Sequence, residues 1–486
     1  MLIARLAGCG ALLAGPAVLA FFSGGYFQTP REWAGLIAWA VAALALIATR
    51  NRPPVLRPTR AAVIALALFA AWTLASIAWA PIAGRAYHAG QLAFVYLGAV
   101  FAAAIIFREP PMRRGAEPAL AAGALIVIAY GLSGRLLPGL IHLAHSVSAE
   151  GRLEQPLTYW NAIGELAALG FVLCARLAGD STRPLPLRSA AVAAAVPLGM
   201  GLYTSLSRGA LFACAAGLIA LVALVFTREQ VRALLLVVGA GAAAALACAP
   251  FHGFTSLAGS QAARERQGAI VLGLVVSIAL LAMLAHRRLE RSRATGGMVL
   301  PRRAPAYAVV LICAGLGLAI ALGAKEPTNR PIRTGAARYV SLQSDRYAYW
   351  GVALKAFASR PVIGVGAGAW SVWWLMHRPF AEPAQDAHSL PLQTLAELGI
   401  VGLGLLLAFF GAMAFSALAA HRVAPAAAAG PIAGTVAWLA HAPLDWDWQM
   451  PAVTLVAMIL AGVVIAAAER PTEPLVSAAE PRSEEI

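Results

Sequence analysis

Charged residues are scarce in this sequence. Asp, Glu, Lys and Arg make up 12% of its 486 residues, whereas soluble domains carry roughly 25%. Hydrophobic residues make up 60%, and apolar runs of about 20 residues, each long enough to cross ~30 Å of hydrocarbon, recur along the whole chain. This composition excludes a soluble globular protein. It predicts an all-α, polytopic membrane bundle of about 12–14 transmembrane helices.

Cysteine is also rare, and its placement excludes two kinds of site. The five cysteines lie in apolar runs without the spacing of a disulfide framework or a zinc site: Cys9, Cys174, Cys214, Cys248 and Cys313. We interpret them as small packing residues. The sequence also lacks a P-loop and a dinucleotide-binding fingerprint. No nucleotide cofactor is therefore expected. No metal is expected either, because no carboxylate cluster on the predicted outer side has metal-ligand spacing.

Hydropathy predicts a series of membrane spans. The N-terminal run from Leu2 to Phe22 is interpreted as the first of them rather than as a signal peptide, since no clear cleavage site precedes the next apolar run. The predicted spans cover 3–22, 33–49, 61–79, 90–107, 118–137, 161–177, 189–205, 209–226, 232–250, 268–286, 305–324, 391–418, 428–442 and 451–468. Residues 1–468 therefore form an integral membrane domain, and the polar tail 469–486 is expected to be disordered.

Basic residues assign a side to each loop. Arg and Lys concentrate in the cytoplasmic loops of membrane proteins. Three Arg-rich segments, 49–60, 108–117 and 286–303, fall on the same side of the predicted topology. Both termini are then cytoplasmic, and much of the net charge of +15 is explained by sidedness, so nucleic acid is not an expected partner.

One long loop, 325–390, between the eleventh and twelfth predicted spans, is then periplasmic or extracellular. Residues 344–361 predict an amphipathic helix with an apolar face formed by Tyr347, Trp350, Leu354 and Phe357. Residues 362–370 predict a turn-rich stretch. The loop is rich in basic residues, which indicates either an outward-facing anion site or the surface of a translocated domain. Arg346 is the favoured anion ligand, because the helix would hold it rigidly.

Two further polar clusters lie on the predicted outer side. In the first, Arg152 stands just outside the membrane, and Asn161 and Glu165 follow one turn apart on the sixth span. A carboxylate near hydrocarbon is usually paired or functional, although an aromatic belt with a neutralised Glu165 is the alternative. In the second, Arg208 lies at the start of the eighth span beside Ser205 and Ser207, an arrangement that suits phosphate. A snorkelling interface arginine is the alternative reading.

The stretch AHSLPLQTLAELGIVG, 387–402, places His388 just before the twelfth span, with Glu397 about two turns inside it. A lone histidine at an interface is usually structural. Another cluster, 441–451, contains His441, Asp445 and two tryptophans. Aromatic rings beside carboxylates suit sugar binding, and an aromatic belt with solvated aspartates explains them equally well.

The motif H-S-x-x-L-Q-x-x-x-x-x-G-x-x-G resembles that of the bacterial O-antigen ligase superfamily, which also contains O-antigen polymerases and protein O-oligosaccharyltransferases. Its residues here are His388, Ser389, Leu392, Gln393, Gly399 and Gly402. The preceding RYAYWGVALKAFASRPVIGVGAG is similar to the segment upstream of that histidine in the family. SLSRGAL and RLEQPLTYWNAIG are similar to two further outer-face motifs.

This resemblance implies a metal-independent glycosyltransferase at the outer face of the bacterial cytoplasmic membrane. The implied donor is a glycan on a polyprenyl diphosphate lipid, and the acceptor is a hydroxyl on a lipid, glycan or protein. His388 would be the general base, and Arg152, Arg208 and Arg346 would bind the diphosphate. Residues that could support them are Asn161, Glu165, Gln393, Glu397 and Asp445.

Three functions stay open at the level of sequence. A ligase would transfer a finished glycan, and a polymerase of the same superfamily would lengthen it on its carrier. A transporter or flippase for lipid-linked sugars would carry functional charges near the membrane midplane. The predicted spans are largely uncharged through their middles and the polar groups gather at one face, which favours an enzyme.

Overall fold

The computed structural model describes residues 2–49, 56–291 and 345–469, and these form helices without any β-strand. The helices are α1 Leu2–Ala20, α2 Gln28–Thr49, α3 Arg57–Ala75, α4 Ala83–Ile106, α5 Pro110–Leu136, α6 Trp160–Gly179, α7 Leu185–Thr204, α8 Arg208–Leu224, α9 Arg228–Cys248, α10 His252–Thr255, α11 Gln261–Arg291, α12 Arg346–Ser359, α13 Trp370–His377, α14 Leu390–Val423, α15 Pro425–His441 and α16 Pro451–Ala468. The predicted all-α bundle is confirmed.

Ten of the described helices are long and apolar enough to cross a membrane, and α1 and α8 contain shorter apolar stretches. Every predicted span falls on a helix except 305–324, which lies outside the described residues, as do most of the predicted tail and the first part of the long loop. Hydropathy succeeds because a span must be both continuous and apolar to satisfy its backbone inside lipid.

Successive long helices run in alternating directions, so their connections gather at two ends of the bundle. We call one of these the loop end; it contains 21–27, 76–82, 137–159, 205–207, 249–260, 360–389 and 442–450. Helices α6 and α16 are wholly buried, whereas α2 and α11 are largely exposed on the outside of the bundle. The central helix α6 therefore enters the core directly from the loop end.

Helix α14 is broken at Gly399, whose φ of 65° and ψ of −164° suit only glycine. The break lets segment 361–366 pair with the helix backbone: the amide of Gly366 donates to the carbonyl of Glu397 at 2.8 Å, and that of Ile400 donates to Pro361 at 2.9 Å. A Cβ atom on Gly399 would overlap the Val362 carbonyl. The motif glycine is thus required by a close backbone approach.

Helix α12 forms where the long loop was predicted to be helical, but the prediction of which of its residues form the buried face was wrong. Its buried residues are Tyr349, Val352, Ala353 and Ala356, whereas Leu354 is exposed and Tyr347, Trp350 and Phe357 are only partly buried. The two alanines allow α12 to pack closely on α14, which large aromatic side chains would prevent. The following segment is turn-rich, as predicted, with positive φ at Gly364, Gly366 and Gly368.

Candidate active site

A cavity of about 380 Å³ opens at the loop end of the bundle. Its wall combines the start of α6, the turn between α7 and α8, the start of α12 and the segment that precedes α14. Among the catalytic, diphosphate-binding and supporting residues predicted from the sequence, those lining it are Asn161, Arg208, Arg346 and His388. These side chains come from four separate parts of the chain, so the fold brings them to one place.

His388 lies in a strained backbone conformation, with a φ of 52°, which is uncommon for a residue other than glycine. Its ring stacks on Tyr349, with the ring centroids 5.1 Å apart. Nδ1 lies 3.0 Å from the carbonyl oxygen of Asp386. Because a carbonyl only accepts, Nδ1 carries the hydrogen in the neutral ring and Nε2 keeps the lone pair. The geometry therefore leaves Nε2 as the basic nitrogen.

The electrostatic surroundings favour the neutral imidazole. Burial lowers the pKa of His388 below its ordinary value, and the positive charge of Arg346 acts in the same direction, while Asp445 partly opposes them. A histidine with a lowered pKa is unprotonated at neutral pH. It can then accept a proton.

Asp445 links two other residues at the cavity. Its Oδ2 lies 2.6 Å from Nη2 of Arg346, and its Oδ1 accepts a hydrogen bond of 2.7 Å from the Tyr159 hydroxyl. Asn161 donates to that hydroxyl, also at 2.7 Å. Burial would raise the pKa of Asp445, but Arg346 and then His388 hold it below its ordinary value. The ionised carboxylate therefore orients Arg346.

Arg208 is the first residue of α8. Ser207 caps this helix by accepting a hydrogen bond of 3.2 Å from the amide of Ala210. The turn packs tightly on its neighbours, since a Cβ atom on Gly209 would lie 2.9 Å from Nε2 of His441. Arg208 is thus held beside a helix N-terminus, where backbone amides and the helix dipole both favour an anion.

Arg152 is placed differently from the other two arginines. It does not line the cavity; its guanidinium lies 3.7 Å from the ring centroid of Trp160. It also donates hydrogen bonds of 2.7 Å to the carbonyls of Ala149 and Ser148. Arg152 therefore holds one wall of the cavity, because Trp160 and Ser148 line it.

Gln393 supports the segment before His388. Its Nε2 donates to Oδ1 of Asp386 at 3.0 Å, and its Oε1 accepts from the amide of Ala387 at 3.2 Å. Glu397, one turn further along α14, accepts from the amide of Trp370 at 3.2 Å. These two side chains contact the backbone around the site and act on His388 only indirectly.

Glu165 lies deeper in the bundle, wholly buried. Its Oε2 is 4.0 Å from Nδ1 of His441, which in turn lies 2.5 Å from Oδ2 of Asp447. Neither oxygen of Glu165 has a hydrogen-bond partner among the described residues. Within the same residues, no group of three or more His, Cys, Asp and Glu side chains has the arrangement of a metal site.

Sequence reasoning missed Asp386 and Tyr349. Asp386 supplies the carbonyl that fixes the His388 ring, and its own carboxylate is buried. A carboxylate residue two positions before a candidate catalytic histidine is a sequence signal that could have identified Asp386 as part of the site. Tyr349 could have been found only from the correct face of α12.

The bundle and its cavity define a polytopic α-helical membrane protein with histidine and arginine side chains at one end. Residues 254–407 match the family model described as O-antigen ligase. The matched range includes Arg346 and His388, whereas Arg208 and Asp445 lie outside it. This match confirms the resemblance, so the chain carries a domain of the O-antigen ligase superfamily, which implies a membrane glycosyltransferase-like enzyme. A search of curated proteins found no match.

Proposed function

We propose that this protein transfers a glycan from a polyprenyl diphosphate lipid to a hydroxyl acceptor at the outer face of the cytoplasmic membrane. The observation that carries the proposal is the common cavity of His388, Arg208 and Arg346. A base whose unprotonated nitrogen is Nε2 stands there beside two permanent cations. That combination suits a reaction in which a hydroxyl loses a proton and a diphosphate leaves.

In the proposed step, Nε2 of His388 takes the proton of the acceptor hydroxyl while its oxygen bonds to the anomeric carbon. The bond from that carbon to the diphosphate oxygen breaks, and its electron pair stays on the lipid diphosphate. Arg208 and Arg346 stabilise the negative charge that develops there. Asp445 keeps Arg346 oriented, and Arg152 supports the cavity wall from behind Trp160.

The test uses the full chain purified into lipid nanodiscs, with a polyprenyl-diphosphate oligosaccharide as donor and candidate acceptors added separately. Transfer of the whole glycan to a different acceptor would establish a ligase. A ladder of longer glycans that remain on the diphosphate lipid would establish the polymerase of the same superfamily. His388→Ala and His388→Gln are run alongside, and transfer by either variant at the wild-type rate would exclude His388 as the base.

Movement of the intact donor across a vesicle membrane, without formation of a new glycosidic bond, would support the transporter instead. In that case replacing His388 would leave transport unchanged.

A further inference from the structure

A second polar cavity, of about 300 Å³, lies next to the first at the loop end. The two cavities share Tyr26, Gln385 and Asp386 in their walls. Neither Arg208 nor Arg346 belongs to the second cavity. Gln385 and Asp386 lie three and two positions before His388 in the chain. The second cavity therefore adjoins the first on the side of the general base.

The wall of the second cavity is dominated by planar hydrogen-bonding groups. Side-chain amides come from Gln28, Gln385, Gln393 and Gln449, and guanidinium groups come from Arg31 and Arg85. Each amide offers two donor hydrogens and an accepting oxygen. Pairs of this kind match the neighbouring hydroxyls of a sugar ring, which also donate and accept.

Several of these groups are already fixed in position. Gln393 and Gln449 both donate to Oδ1 of Asp386, at 3.0 and 3.2 Å. One guanidinium nitrogen of Arg85 donates to the hydroxyl of Ser371, and one of Arg31 donates to the carbonyl of Tyr26. A wall ordered in this way loses little conformational freedom when a ligand binds.

Two polar atoms at this cavity have no hydrogen-bond partner in the part of the chain that the structure describes. Nδ1 of His88 and Nε of Arg31 are both buried, and neither has a hydrogen bond to any described residue. Buried polar groups are normally satisfied by protein, water or ligand. Aromatic surface is present too, because Tyr26 and Phe27 line the cavity with their rings edge-on, 5.5 Å between centroids.

We propose that this cavity is a subsite for a saccharide unit of the acceptor glycan, next to the unit whose hydroxyl reacts at His388. The ligand class is a hydroxyl-rich, uncharged sugar, since carboxylates and guanidinium groups both line the cavity and side-chain amides outnumber either. A volume of about 300 Å³ lies at the lower end of ordinary ligand pockets, roughly 300–1,000 Å³, which fits one ring rather than a chain. The subsite rests on the proposed function, because it assumes a glycan acceptor.

The test measures binding, which needs no turnover. The probes are the oligosaccharide that mild acid releases from the host's own polyprenyl-diphosphate glycans, which a polymerase would use as acceptor, and the delipidated glycan of the host's envelope lipids, which a ligase would use. Each is titrated onto the full chain in nanodiscs. Gln28→Ala and Arg85→Gln change exposed residues of the wall, and each is expected to raise the dissociation constant of the oligosaccharide about tenfold. The matched controls Gln261→Ala and Arg266→Gln alter exposed residues at the same end of the bundle, outside both cavities, and should bind normally.

Three results would overturn the subsite: no binding of either oligosaccharide to the wild-type chain, binding by both wall variants that is as tight as that of the wild-type chain, or loss of inorganic pyrophosphate binding in Arg85→Gln with sugar binding intact. The last outcome would make the cavity an anion site. The proposed function fails separately, through absence of transfer. If transfer occurs, the two wall variants should raise the KM for the acceptor while kcat changes little.

Discussion

Arg346 and Asp445, which are 99 positions apart in the chain, form an ion pair with Nη2 and Oδ2 separated by 2.6 Å. The carboxylate is wholly buried and its other oxygen accepts from Tyr159. A guanidinium held by such a carboxylate has a defined orientation. The pair joins the start of α12 to the connection before α16, and so connects the matched family segment to the remainder of the bundle.

Because the two charges act as a unit, their replacements should not be additive. We expect Asp445→Asn and Arg346→Gln each to lower kcat/KM about a hundredfold. The kcat/KM of the double variant should lie no more than about tenfold below that of the less active single variant. A double-mutant cycle on transfer rates measures this. Tyr159→Phe, which removes only one hydrogen bond to Asp445, is the milder control. Strict additivity of the two losses would contradict the coupling.

The pH dependence of transfer should report His388. Because burial lowers the pKa of this histidine, the acidic limb of the kcat/KM profile should have its midpoint below about 6.5, the ordinary histidine value. Activity rises as the imidazole loses its proton and is level at neutral pH.

Charge changes around His388 should move this limb in opposite directions. Arg346 lowers the pKa and Asp445 raises it, so Arg346→Gln should shift the midpoint upward and Asp445→Asn downward. Shifts of the reverse sign would show that another group controls the limb.

Replacing Arg208 and replacing Arg152 should impair the protein in different ways. Arg208→Gln should weaken donor binding about tenfold to a hundredfold, seen as a loss of competition by inorganic pyrophosphate, because it removes a cation from the cavity. Arg152→Gln should instead lower the melting temperature, since this guanidinium donates to two backbone carbonyls and covers Trp160. Equal loss of pyrophosphate binding in both variants would show that Arg152 also binds the diphosphate.

Gly399→Ala should destabilise the protein by about 1–3 kcal/mol, because alanine cannot adopt the backbone conformation at this position without strain. The added Cβ would also displace segment 361–366. Gly404→Ala is the matched control in the same helix, where an added Cβ meets nothing within 4 Å. Thermal unfolding in detergent and transfer activity distinguish the two. Normal stability of Gly399→Ala would contradict the observed break in α14.

Local sequence information was sufficient for the helices and for the motif. A membrane span is a continuous run of apolar residues, so hydropathy located the helices on either side of segment 305–324, which lies outside the described residues. Ser389 and Pro391 are also residue types typical of a helix start. In the structure Ser389 directly precedes the first residue of α14, although its side chain makes no capping hydrogen bond. The buried face of α12 could not be predicted from the sequence. Close packing against α14 requires small residues on that face, and hydrophobic periodicity favours the large apolar residues instead.

The sequence by itself determined a polytopic helical bundle, its resemblance to the O-antigen ligase superfamily and His388 as the candidate base. It left open which of Glu165, Glu397 and Asp445 supports the histidine. Only the tertiary structure decided that Asp445 meets Arg346, that Glu165 lies with His441, and that Arg152 stands behind Trp160. The physical reason is that membrane insertion depends on properties of neighbouring residues, whereas a site depends on which distant segments pack together.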